Sequence, residues 1–237
     1  ILIDRNIAIK NGTLQTTNWV NGNIKSDEKN KKAQFRLKGR LDNHWLGDSK
    51  LSLKVRLKDQ DNYLLGMNDF YLHKLRSRQY PYDYLFSDLL KGLNFPFVEH
   101  RIVKINMNNS SWGLMDMQEG FSKEMLEKNK LLESIVFEFS DDKEFEWDSY
   151  NSSLEDSIKD NSWLHHPRLY LKLVGKDKSE LSDIELSRFY YVSNLLLNKN
   201  YQNILFNQSA LSKLEEVLSI WGTFHAAGFN NIRFYLN

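Results

Sequence analysis

The residues of this chain that could do chemistry are cations, carboxylates and histidines, because its 237 residues include no cysteine. That removes cysteine nucleophiles, thiolate zinc sites and disulfide frameworks, and leaves the redox compartment open. The densest cationic pattern is Lys50-Leu51-Ser52-Leu53-Lys54-Val55-Arg56-Leu57-Lys58. Its period of two sends the leucines and the valine to one face of a strand and Lys50, Lys54, Arg56 and Lys58 to the other. Such a row suits phosphate, or simply solvent. His165-His166-Pro167 could hint at a metal, but adjacent imidazoles seldom converge on one ion. Asp59-Gln60-Asp61-Asn62 opens like a calcium loop, yet lacks the later glycine and terminal glutamate, so it reads as a turn. The phosphate-loop pattern GxxxxGKS or GxxxxGKT, the GxGxxG fingerprint and the HExxH zinc motif are all missing. Asn11-Gly12-Thr13 and Asn207-Gln208-Ser209 are glycosylation sequons, meaningful only in a eukaryotic secretory setting.

The elements that must position these side chains need a core, and 41% hydrophobic with 13% aromatic residues can supply one. Three prolines and eleven glycines exclude collagen-like and Pro/Gly-rich disordered chains. A mean hydropathy of -0.56 and the lack of an 18-residue apolar run exclude a membrane-spanning helix. With 32 basic against 31 acidic residues, no global field marks nucleic acid as the partner. The chain opens at Ile1 without an initiator methionine or a leader-like run, and closes on the strand-like Phe234-Tyr235-Leu236-Asn237. These ends are expected of a segment from a longer chain.

The first third reads as β, with alternation over residues 33–38 and 50–58. A helix is expected over residues 81–91, with Pro81 in its first turn and Gly92 as its stop. Strands over 98–107 and 112–118 flank Asn108-Asn109-Ser110-Ser111, which is turn chemistry and predicts a hairpin. A short helix follows over 121–130 with Ser122 as N-cap, then a strand over 134–139. From Glu138 to Asp160 there are nine acidic residues against two lysines, the pattern of a solvated loop and of a boundary. Helical periodicity returns over 181–197 and 210–220, and strand character over 231–236. The order, strands first and helices second, predicts an α+β protein.

Several segments, taken in order, resemble the CotH kinase family of atypical, secreted or surface-associated protein kinases named after a spore-coat protein. They are Phe35-Arg36-Leu37-Lys38-Gly39, Asn43-His44, Lys50 to Leu53, Leu64 to Phe70 with Arg78, and Tyr84-Leu85-Phe86. Val103 to Asn108, Trp112-Gly113-Leu114, Glu119 and Phe121 to Glu127 continue the series, and Trp221, His225 and Asn230 to Asn237 end it. The resemblance covers roughly residues 33–139 and 204–237. It implies a divergent two-lobed protein-kinase-like fold. Residues 1–140 would form a β-rich N-lobe-like part, 141–178 an acidic loop or insertion, and 179–237 a helical C-lobe-like part running past the last residue. It also implies ATP with Mg2+ or Mn2+, phosphoryl transfer to a protein hydroxyl, and a place outside the cytoplasm at the cell surface or envelope.

Carried over residue by residue, the resemblance makes Lys38 the cation on the phosphates and Glu119 its partner, with Asp116 or Glu124 as substitutes. A solvent-facing strand lysine and a surface glutamate are the plain alternatives. Arg78 and Asp83 match the helix entry, where an ion pair between loop and helix is the plain alternative. Asn231 would hold metal, or else satisfy backbone groups. The chain departs from the family where an aspartate is expected after the tryptophan: here Gly222-Thr223 follows Trp221. His225 stands nearby as a candidate base or as a structural histidine. Arg40 also replaces an acidic position two residues past Lys38. An inactive kinase relative, or a surface binding module on the same scaffold, is therefore carried beside the active kinase.

Overall fold

The computed structural model describes residues 1–12, 14, 17–26, 29–39, 42–47, 50–58, 63–140, 170–197, 206–222 and 232–236. The fold is mixed α+β, and it divides into two compact units, Ile1–Leu131 and Leu132–Asn237.

The first unit opens with a helix, α1 (Leu2–Asn11), ahead of the segments whose alternation reads as β. Its apolar residues form no clean stripe, so periodicity alone does not reveal it. The helix is tied down by buried Asp4, which accepts hydrogen bonds from Asn18, and by Arg5, whose Nε donates to the Trp45 carbonyl at 2.8 Å. Six strands follow in this unit: β1 (Val20–Ser26), β2 (Lys29–Leu37), β3 (Leu53–Leu57), β4 (Asp69–His73), β5 (His100–Met107) and β6 (Ser110–Glu119). They form one antiparallel sheet in the order β1-β2-β3-β4-β6-β5. The β5–β6 hairpin turns at Asn108 and Asn109, both at positive φ, where asparagine is tolerated better than most residues.

Register assigns each face. Phe35, Val55 and Phe70 stand opposite one another across β2, β3 and β4, and Leu37, Leu53 and Leu72 form the neighbouring row. With Trp45, Met115 and Met117 they build the core of this unit. Burial of each such side chain contributes about 1.5–3 kcal/mol. The alternate row, Arg36, Lys54, Tyr71 and Gln118, lies on the other face.

Helix α2 (Tyr82–Gly92) has Pro81 at its N-cap position. Gly92 is its last helical residue rather than its stop. The chain turns two residues later, at Asn94 (φ 56), where Asn94 N–H donates to the Lys91 carbonyl and Phe95 N–H to Leu90. That is a Schellman closure with asparagine in the left-handed position. Helix α3 (Lys123–Lys128) starts at Ser122, whose hydroxyl accepts from Met125 N–H.

The second unit contains a three-stranded antiparallel sheet with β7 (Val136–Ser140) between β8 (Tyr170–Leu173) and β9 (Arg233–Tyr235). Among the described residues its helices are α4 (Asp183–Leu197) and α5 (Gln208–Trp221). Ile135, Phe137 and Phe189 form its core, and the Phe137 and Phe234 rings stack at 5.5 Å. Asn207 caps α5 by accepting from Ala210 N–H at 3.0 Å.

Candidate functional site

The charged chemistry of the first unit gathers on the polar face of β2, β3, β4 and β6. Lys54 projects from the middle of the sheet, as the alternation of residues 50–58 requires, but it is only 7% exposed. Its ammonium lies 3.2 Å from the Asp69 carboxylate, which also accepts from Arg56 Nε at 3.2 Å. Burial pulls the Lys54 pKa down, Asp69 opposes that, and Arg56 and Arg36 add to the fall. Gly120 makes the pair possible: a Cβ there would meet the Asp69 backbone oxygen at 2.8 Å and press on its carboxylate.

Lys38 follows β2 on this face, its N–H bonded to the Ser52 carbonyl. Lys38 Nζ is 5.1 Å from the Tyr71 ring centroid, and Lys54 Nζ is 5.3 Å from the same ring. Two ammonium groups thus converge on one aromatic residue, an arrangement that favours an anion.

Toward the far end of the face lie His44 and His73. His44 Nδ1 meets Ser52 Oγ at 3.0 Å, and Gly39 (φ 95) is the residue whose lack of a Cβ leaves room for the His44 ring. Burial, then Arg78, Lys38 and Lys74, hold the His44 pKa down at about 4. His73 is fully buried, and burial with Arg78 beside it holds its pKa well below the usual value. Arg78 has only donors, so the His73 Nε2 atom 3.2 Å from its NH2 group accepts. The imidazole proton is then on Nδ1, which is buried without a hydrogen bond to any described residue, as are Arg78 Nε and Asp69 Oδ1. Each such atom costs about 1–3 kcal/mol. Arg78 also donates to Gln118 and lies 3.7 Å from Asp83.

The sheet separates the two residues that the sequence pairs. Glu119 stands opposite Phe70, in the core-facing row of Phe35 and Val55, whereas Lys38 shares the face of Tyr71. The buried Glu119 carboxylate instead takes Lys128 at 2.6 Å and accepts from Glu99 N–H. Lys128 also reaches Glu99 at 3.1 Å. Burial lowers the Lys128 pKa, but its bonds to Glu119 and Glu99 outweigh that and leave it raised. Asp116 faces His100 Nδ1 at 3.0 Å, both nearly sealed from solvent. His225, Asn231, His165, His166 and Asp59 to Asn62 lie outside the described residues.

Sequence reasoning passed over Asp69, Tyr71, His73 and the burial of Lys54. Alternation signalled the cationic face, but the short strand Asp69–His73 went unseen because its polar positions are buried too. No protein-family model matches the chain, and no curated protein matches it.

Proposed function

We propose that this chain is a CotH-like kinase domain of two lobes, whose first unit seats the phosphates of ATP ahead of transfer to a protein hydroxyl. The observation that carries the reading is Lys54: a buried strand lysine held by a carboxylate, sharing Tyr71 with Lys38. A kinase needs a cation on the phosphates and a carboxylate to hold that cation. Lys54 and Asp69 have that relation, which the resemblance assigned to Lys38 and Glu119. The divalent metal rests on Asn231 and on the resemblance. Among the described residues, no group of three or more histidine or acidic side chains could hold an ion. A place at the cell surface or envelope rests on the resemblance as well.

A catalytically silent relative is the second reading, and Gly222 favours it. Gly222 takes the left-handed position (φ 71) that ends α5, where the family resemblance asks for an aspartate. Helix termination uses that position, and a glycine offers no base.

Thermal unfolding with ATP, in Mg2+ and then Mn2+, tests the site. At a hundred times Kd a ligand stabilises by about 2.7 kcal/mol, a shift on the order of 5–10 °C for a chain of this size. Lys54→Met is expected to abolish the shift. Lys38→Ala, at a partly exposed position, is expected to reduce it without disturbing the buried pair. No shift in either metal overturns the nucleotide reading. A shift without transfer of labelled γ-phosphate to protein selects the silent relative.

A further inference from the structure

The polar face of the first unit carries a longer cationic stripe than the Lys38–Lys54 pair. On β2 and just past it, Lys32, Arg36 and Lys38 share that face; on β3 and just past it, Lys54, Arg56 and Lys58 do. Arg36 stands directly opposite Lys54, and Lys58 N–H bonds the Lys32 carbonyl. Like charges directly across a ladder repel. Among the described residues, this face of β1 to β3 has no aspartate or glutamate, and Asp69 on β4 pairs with Lys54 and Arg56. Lys32 and Lys58 are exposed. From Lys32 to Lys38 the stripe runs about 20 Å at ~3.3 Å per residue.

We propose that this stripe docks an extended acidic polypeptide segment. An extended peptide with acidic residues at alternate positions spaces its carboxylates by about 6.7 Å, the repeat of cations at alternate positions on a strand. Trp19 separates this occupant from single-stranded nucleic acid. Its ring is taken by the Arg36 and Arg56 guanidiniums, 4.8 and 5.4 Å from the centroid, rather than offered to a base. A guanidinium stacked this way keeps in-plane N–H donors for a carboxylate. Docking needs neither nucleotide nor metal, so it stands apart from the kinase reading; under that reading the segment belongs to the acceptor protein.

The test is fluorescence anisotropy of the full chain with a labelled peptide of about ten residues alternating Glu and Thr. A Gln/Thr peptide and an oligo-dT of matched length are titrated in parallel. The expected result is binding of the Glu/Thr peptide alone, weakening as salt rises. The double change Lys32→Glu with Lys58→Glu is expected to weaken it by about tenfold or more, from two exposed charge reversals. Lys104→Glu, exposed on β5, is expected to leave it unchanged. Circular dichroism checks that both variants fold, as exposed strand positions should allow. No binding, equal binding of the Gln/Thr peptide, tighter binding of oligo-dT, or an indifferent double variant each overturn the proposal.

Discussion

His44 and His73 are neutral in the folded protein because burial and nearby cations both oppose a second proton. His44 titrates at about 4 when folded, against about 6.5 in an unfolded chain. Between those values the unfolded state binds the proton and the folded state does not, so stability is full above about pH 6.5 and falls toward pH 4. His73 acts in the same direction. The urea midpoint is expected to drop between pH 7 and pH 5, and His44→Gln to flatten that drop. A midpoint constant over the range in the parent chain would count against the burial of these rings. At this scale the sequence showed which residues are cations, but not that Lys54 is buried. Burial depends on what covers a face, and no pattern within residues 50–58 encodes that.

Among the elements, Gly39 has the clearest consequence. It leaves β2 at φ 95, and a Cβ there would overlap the His44 ring. Gly39→Ala combines a strained backbone with a clash, and is expected to cost about 3 kcal/mol or more, seen as a lower thermal midpoint. A midpoint within a degree or so of the parent would show that His44 can move aside. Helix α2, the β5–β6 hairpin and the Ser122 cap were legible, because each has a local signal: an apolar stripe, two asparagines, a capping serine. Helix α1 and strand β4 were not. The first is held by distant partners such as Trp45, and the second buries Asp69 and His73 on its polar face as well as Phe70 and Leu72 on the other.

Among the described residues, one core lies within Ile1–Leu131 and another within Leu132–Asn237. A fragment of residues 1–131 therefore keeps every member of the larger core. It is expected to unfold cooperatively on its own, by calorimetry or urea titration. A fragment without a cooperative transition would mean that the first unit depends on the rest of the chain. What the sequence determined by itself is the mixed α+β class and the membership of each strand face, since alternation is intrinsic to an extended backbone. Tertiary structure alone decided which faces meet. Strand order and register brought Lys54 to Asp69 and Lys38 to Tyr71, and they turned Glu119 to the core-facing side and Lys128. Those pairings join residues on different elements, and a one-residue slip would exchange the two faces.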